Sequence, residues 1–188
     1  MLARARDEPA TLVVGIDANA ASMAEMSRRA ARPASKGGVP NALFVLAAAE
    51  QIPDELLGVA DSMTIAFPWG SLLRGALALD EAAAHGIAAL LGPGATATAT
   101  FSIEDRDGLS LPSLDDAAER RALVDRWSLL GLDLCSLRRA TREELAAMPS
   151  TWARRLAAGR DRPAWHLELQ AVPVAGRVAP ATAIRRPR

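Results

Sequence analysis

Three short apolar runs, each ending in chemically distinctive residues, constrain the fold of this chain more than any other feature. TLVVGID (residues 11–17) is almost continuously apolar, which is typical of a parallel strand covered on both faces. Helix-forming residues follow it, and the pattern recurs with NALFVLAAAE (41–50) and SMTIAFPW (62–69). Alternating strands and helices of this kind predict an α/β fold with a mostly parallel sheet.

The rest of the chain extends this alternation. Ser71 is predicted to cap a helix over 72–91, and a second helix over 114–132 places Leu123, Trp127 and Leu130 on one face. Trp127 and Trp165 are expected to pack in the core. Further strands are predicted at 94–103, 133–140 and 164–172, with short helices in PDELLG, TREELAAM and WARRLAAG. We expect a single domain over 1–175 and a basic, flexible tail over 176–188.

Composition excludes several classes of protein. The 188 residues are 50% apolar, which predicts a folded domain with a real core. Cys135 is the single cysteine, and two histidines offer no metal cluster, so we expect no metal. No run of eighteen apolar residues and no secretory h-region occur, so we expect a cytoplasmic protein without a membrane span.

Charge is balanced overall but uneven along the chain. Residues 138–162 hold seven arginines against three acidic residues, and the tail after Gly176 adds further arginines. Such a basic segment fits phosphate recognition, and a solvated charged face is an equally good interpretation.

The ends of the three predicted strands are the candidate site. Ligands of open α/β sheets bind outside the carboxyl ends of the strands, where a carboxylate typically accepts ribose hydroxyls. Asp17 is placed for that role, and the alternative is that it caps the following helix. Glu50 at the end of the second predicted strand is, by itself, weak evidence for a ligand site. The Phe67-Pro68-Trp69 step puts a large aromatic side chain on a tight turn.

The segments GIDANAASM, PNALFVLAAAEQIPDEL, FPWGSLLRG and PSTWARRLAAGR together resemble the methyltransferases that confer kanamycin and apramycin resistance by modifying 16S ribosomal RNA. The resemblance covers about Thr11 to Val172. It implies the Rossmann-like sheet of class I S-adenosylmethionine-dependent methyltransferases, and methylation of N1 of an A-site adenine in the 30S subunit.

The resemblance also implies roles for individual residues. Trp69 and Trp152 would act in catalysis by stacking on a flipped target base. Arg154, Arg155, Arg160 and Arg162 would contact RNA, and a purely surface role for them is the competing interpretation. The residues implied in cofactor binding are Asp17 and Ala18 at the ribose, Ala49 and Glu50 at the adenine, Phe67, Pro68 and Ser71 at the methionine end, and Ser150 near the flipped base.

The chemistry of the reaction agrees with these roles. A paired base must leave its helix to be modified, at a cost of a few kcal/mol. Stacking on an aromatic ring returns about 1–3 kcal/mol per base, so two tryptophans approximately balance the extrusion. The N1 atom of neutral adenine already carries a lone pair, so the transfer needs alignment more than a general base.

One part of the class I pattern is missing. The first strand and its glycine-rich loop, which lie centrally in such sheets, have no counterpart before Thr11. We therefore expect a truncated sheet, weak cofactor binding, low stability and self-association through open sheet edges.

Two other functions remain open. One is a methyltransferase for another acceptor, such as tRNA or a small metabolite, because this sheet hosts many acceptors. The other is a catalytically impaired homologue that keeps an RNA-binding surface but cannot hold cofactor.

Overall fold

The computed structural model describes residues 1–104, 107–109, 113–148, 153 and 163–173. The chain forms two units, Met1–Pro53 and Asp54–Arg188. Several predictions concern residues outside the described ones: the roles of Ser150, Trp152, Arg154, Arg155, Arg160 and Arg162, the helix in WARRLAAG beyond Ala153, and the tail after 176. The domain bounds 1–175 and 176–188 stay a prediction.

The first unit is built on a two-stranded parallel sheet. Strands β1 (Val13–Asp17) and β2 (Ala42–Leu46) pair in parallel, with helices α1 (Leu2–Asp7) and α2 (Ala20–Ala30) and a 3₁₀ turn over Ala34–Lys36. Its buried cluster consists of four residues: Leu2, Ala5, Ala30 and Val39.

Asn41 organises the chain ahead of β1. Its side-chain amide nitrogen donates hydrogen bonds to the carbonyl oxygens of Ala5 (2.7 Å), Glu8 (3.0 Å) and Thr11 (2.8 Å). A single partly buried amide therefore serves three backbone acceptors in the segment before β1, of which the Glu8 carbonyl also accepts the Thr11 amide (3.0 Å).

The second unit is built on a four-stranded sheet in the order β3-β4-β6-β5. A 3₁₀ turn over Asp54–Leu56 precedes it. Its elements, in chain order, are β3 (Ala60–Ala66), α3 (Gly70–Ala76), α4 (Glu81–Leu90), β4 (Leu91–Ser102), α5 (Ala117–Leu129), β5 (Leu132–Arg139), α6 (Arg142–Ala147) and β6 (Ala164–Ala171).

The core of the second unit lies on one face of that sheet. Ala97, Ala99 and Phe101 of β4 and Leu167 of β6 are almost fully buried together with side chains of the helices. Trp127 of α5 is 0% exposed and Trp165 of β6 is 4% exposed, which confirms that both are core residues. The opposite face carries polar side chains, including Thr100 and His166, which share a hydrogen bond.

The predicted, mostly parallel arrangement is confirmed for three of the four strands: β3, β4 and β5 run in one direction, and β6, which lies between β4 and β5, is antiparallel to both. One expectation about the helices is wrong. The helix predicted over 72–91 is two helices, because Ala78 takes a left-handed conformation (φ 51°) and Asp80 caps α4 through the amide of Ala83. Gly75 allows α3 and α4 to pack, since a Cβ there would lie 2.6 Å from that of Ala83.

Two kinds of structural feature are absent from the described residues. No helix in this part of the chain is long and apolar enough to cross a membrane. No group of three or more His, Cys, Asp or Glu side chains is arranged there to hold a metal ion.

Candidate active site

The turn after β3 exposes the side chain of Trp69 to solvent. Pro68 is buried, whereas Trp69 is 81% exposed. Phe67 has φ 50°, a left-handed conformation that costs a non-glycine residue about 1–3 kcal/mol. Gly70 follows with φ 60°, which glycine adopts without that cost. A strained turn that exposes a tryptophan is typical of a functional site rather than of core packing.

Neighbouring strands hold the strained residue in place. The amide of Phe67 donates a hydrogen bond to the carbonyl oxygen of Thr100 on β4 (2.7 Å). The Phe67 ring packs in a small cluster with Leu145 and Met148 of the α6 segment and Ala164 at the start of β6. Contacts from three other elements therefore stabilise the turn that presents Trp69.

The same cluster brings α6 to this turn. Met148 directly follows α6 and lies two residues before Ser150 and four before Trp152 in the sequence. The turn with Trp69 and the end of the segment that precedes Trp152 thus share one apolar cluster.

Ser71 does not cap α3, so that prediction is wrong. Trp69 occupies the N-cap position, with no side-chain cap hydrogen bond, and Ser71 lies inside the first turn, half-buried. The reason is that the helix begins at Gly70, immediately after the turn, two residues earlier than the capping pattern indicates. Phe67, Pro68, Trp69 and Ser71 remain within five residues at the carboxyl end of β3.

Asp17 lies exposed at the carboxyl end of β1, as the sequence predicts. One carboxylate oxygen accepts a hydrogen bond from the amide of Asn19 (2.8 Å) and the other accepts one from the Ser22 hydroxyl (2.6 Å). Asn19, not Asp17, is the N-cap of α2. A carboxylate can accept about four hydrogen bonds, so the two fixed ones orient Asp17 and leave two positions for a ligand.

The remaining predicted residues of the first unit lie at the same edge of its sheet. Asp17 pairs in register with Leu46, the last residue of β2, and Ala18 follows Asp17 directly. The prediction that β2 extends to Glu50 is wrong. The strand ends at Leu46, because residues 47–50 leave the sheet and form a turn. Ala49 is therefore half-buried and Glu50 is exposed on that turn.

A fork-shaped ion pair lies where α6 meets β5. Both guanidinium nitrogens of Arg138 donate to the Glu144 carboxylate, at 2.8 and 2.5 Å. The hydrogen bond from Arg138 and one from the Thr141 amide lower the pKa of Glu144 to about 2. The same hydrogen bond raises the pKa of Arg138.

Sequence reasoning missed a basic surface in the first unit. Arg28, Arg29, Arg32 and Lys36 are all exposed around the carboxyl end of α2. Arg28 pairs with Glu25 at 3.1 Å, and the other three make no ion pair within the described residues. The sequence pattern that indicates this basic surface is the run RRAARPASK, in which four of nine residues are cations and none is acidic.

Comparison with solved structures defines the class of protein. The chain is similar to the 16S rRNA methyltransferase KamB, with a TM-score of 0.80 and 32% identity over 92% of this chain and 82% of that one. It is equally similar to a tryptophan variant of the 16S rRNA (adenine(1408)-N(1))-methyltransferase from Catenulisporales acidiphilia with cosubstrate SAM: TM-score 0.81, 32% identity, 94% and 82% coverage. The fold is the Rossmann-like fold of S-adenosylmethionine-dependent methyltransferases.

Sequence comparison defines the family. The family model described as NpmA, 16S rRNA (adenine(1408)-N(1))-methyltransferase, matches residues 1–171, so the chain belongs to this family of enzymes. The 16S rRNA (adenine(1408)-N(1))-methyltransferase of Streptoalloteichus tenebrarius is 36% identical over 165 residues, covering 84% of this chain and 75% of the relative. The enzyme of the same name from Escherichia coli is 32% identical, covering 81% and 73%. The resemblance read from FPWGSLLRG and PSTWARRLAAGR is confirmed.

Proposed function

We propose that this chain transfers a methyl group from S-adenosylmethionine to N1 of the A-site adenine of 16S rRNA, and so confers aminoglycoside resistance. The observation that carries the proposal is Trp69, which is 81% exposed on a strained turn held by three other elements. We expect the enzyme to act in the cytoplasm, where small ribosomal subunits are.

Trp69 supplies one face of the pocket for the target base. Its indole is too exposed to contribute much to the core, and it is free to stack on a base at a gain of about 1–3 kcal/mol. Trp152 supplies the other face. It follows Met148 by four residues in the sequence.

The cofactor residues fit their proposed roles one by one. Asp17 is exposed, oriented by two hydrogen bonds and able to accept two more, as binding of ribose hydroxyls requires. Ala49 and Glu50 border the adenine from the turn after β2. Phe67, Pro68 and Ser71 contact the methionine end, and Ser150 lies near the flipped base. S-adenosylmethionine, when bound, supplies an electrophilic methyl group on a sulfonium centre.

No general base is assigned to the reaction. The N1 lone pair of adenine attacks the methyl carbon, and the carbon–sulfur bonding pair stays on sulfur, so no proton has to leave the base first. The task of the protein is therefore alignment of N1 with the methyl group, and correct alignment is worth several kcal/mol of the barrier.

Two basic segments support an RNA substrate. Arg29, Arg32 and Lys36 offer three exposed cations with no ion-pair partner among the described residues, which is the property expected of phosphate contacts. Arg154, Arg155, Arg160 and Arg162 are proposed to contact phosphates near the flipped base. We propose the assembled 30S subunit as the substrate, and expect its binding to weaken steeply with salt.

Open sheet edges favour self-association as a second property. In the described residues β1 pairs only with β2, and β3 pairs only with β4, so each keeps one edge without a strand partner. We propose that a second copy of this chain covers such an edge. Sedimentation analysis should show dimers at micromolar concentration, and a monomer throughout would contradict this proposal.

The experiment is transfer of a labelled methyl group from S-adenosylmethionine to purified 30S subunits. Trp69→Ala should lower the rate by about 10- to 100-fold, as loss of one stacking contact predicts, and Trp69→Phe should keep much of it. Leu129→Ala is the matched control, because Leu129 is 87% exposed and distant in sequence from the turn. Equal rates for Trp69→Ala and wild type would contradict the proposed site.

Calorimetry with the cofactor separates the alternatives. Salt-dependent RNA binding without cofactor binding would select the impaired RNA-binding homologue. Cofactor binding with no transfer to 30S subunits, but transfer to tRNA or a small molecule, would select another acceptor.

A further inference from the structure

We propose that Arg138 and Glu144 are a positioning pair that fixes α6 against the Phe67 turn, and through α6 aligns the target-base pocket. The inference rests on the proposed role of Trp69 and Trp152. It assigns a role to two residues of the second unit that the reaction itself does not use.

A row of side chains crosses the polar face of the four-stranded sheet beneath this pair. Thr100 of β4 is the register partner of His166 on β6, and His166 is the register partner of Arg138 on β5. Thr100 Oγ1 and His166 Nδ1 lie 3.2 Å apart, and His166 Nε2 lies 3.1 Å from Glu168 Oε1. The row ends at Arg138, whose guanidinium binds Glu144 of α6.

Glu144 also fixes the start of α6. Its carboxylate accepts a hydrogen bond from the Thr141 amide (2.8 Å), and the Thr141 hydroxyl accepts one from the Glu144 amide (3.2 Å). This reciprocal capping box uses the same carboxylate that Arg138 binds. One side chain therefore both begins the helix and ties it to β5.

The same helix contributes to the apolar cluster of the Phe67 turn. Phe67 and Met148 both pack against the cluster that contains Leu145, and the backbone carbonyl of Thr100, at the opposite end of the polar row, accepts a hydrogen bond from the Phe67 amide. At 1.5 Å per residue, Met148 lies about 6 Å along the helix axis beyond Glu144, and Leu145 directly follows Glu144. A six-residue helix is not stable alone, so its position depends on these two attachments.

Loss of the fork should therefore disturb alignment rather than folding. The ion pair is partly exposed, with 42% and 40% of the two side chains accessible, so its removal should change stability little. Small displacements of groups that hold a substrate cost large factors in rate. We expect kcat for methyl transfer to fall by about 10-fold or more while KM for 30S subunits and affinity for S-adenosylmethionine change less than 2-fold.

The test uses three variants and a control in the full chain. Arg138→Lys keeps the charge but cannot form the fork, and Glu144→Gln removes the charge. The double exchange Arg138→Glu with Glu144→Arg restores a pair of opposite orientation. Glu143→Gln makes the same chemical change one residue away on the same helix.

The expected result is a fall in kcat for both single variants, partial recovery in the double exchange, and wild-type kcat for Glu143→Gln. Wild-type kcat in both single variants would overturn the proposal. A parallel loss of cofactor affinity and melting temperature would also overturn it, because that pattern marks a merely structural pair.

Amide exchange makes the outcome independent of activity. Arg138→Lys should speed exchange of the Leu145, Met148 and Phe67 amides, and unchanged exchange would overturn the positioning role even if the enzyme is active. If the wild type transfers no methyl group but exchange still rises in Arg138→Lys, the structural coupling stands and the proposed function fails.

Discussion

The two units of this chain bury very different amounts of apolar surface. The main cluster of the second unit contains nineteen buried residues, including Trp127 and Phe101, whereas the cluster of the first unit contains four. Apolar burial is the dominant stabilising term in folding, so the second unit should be much the more stable. The turn that presents Trp69 lies in the stable unit, and Asp17 lies in the weaker one.

The first unit also leaves apolar residues exposed that its sequence pattern predicts to be covered. Leu12 is 54% exposed, Ile16 36% and Leu43 47%, although the strands read as covered on both faces. The described contacts cover the face with Val13, Ala42 and Phe44, which pack with α1 and α2 residues. The continuous apolar runs predict strands buried on both faces, and within the first unit only one face is buried.

The largest effect expected from this comparison is at Trp127. Trp127→Ala should lower the free energy of unfolding of the second unit by about 3–5 kcal/mol, because it empties a large part of the core. Trp69→Ala, the same substitution on an exposed turn, should change it by less than about 0.5 kcal/mol. Urea unfolding followed by circular dichroism measures both, and comparable losses would contradict the contrast between the two tryptophans.

The next effect should be confined to the first unit. Asn41→Ala leaves the carbonyls of Ala5 and Thr11 without this donor, at a cost of about 1–3 kcal/mol, whereas the carbonyl of Glu8 keeps the hydrogen bond from the Thr11 amide. Amides of Val13–Asp17 should then exchange faster, whereas those of β4 should not. Equal acceleration in both sheets would show that the two units unfold together.

The smallest effect is a pH dependence in the second unit. The pKa of Glu144 lies below its unfolded value of 4.5, at about 2 in the folded chain, so its stabilising contribution is complete above pH 4.5. That contribution is lost as pH falls from about 4.5 to 2, and solvent screening keeps it below about 1 kcal/mol. Glu144→Gln should reduce the difference in melting temperature between pH 6 and pH 3, and an unchanged difference would contradict the pair.

Much of the fold was predictable from local pattern. The strands at 11–17 and 164–172 and the helix in TREELAAM are found within about two residues, because apolar period and capping are local signals. The break near Ala78 and the antiparallel entry of β6 were not predictable, since both depend on contacts between segments distant in sequence.

The candidate site was predictable in part. The FPWG segment marked the turn, and its exposed tryptophan is confirmed. The fork between Arg138 and Glu144 was not, because it joins a strand to a helix through side-chain geometry that spacing does not encode. The cations around the end of α2 are evident in the sequence, but which of them lack an ion-pair partner among the described residues depends on the fold.

The most direct test of the whole account is to map the methylated nucleotide in 16S rRNA after 30S subunits react with the wild-type chain and with Trp69→Ala. Methylation at N1 blocks base pairing, so reverse transcription should stop at the A-site adenine with wild type and read through with Trp69→Ala. A stop at another nucleotide, or an equal stop with both chains, would contradict the claim that this turn receives that base.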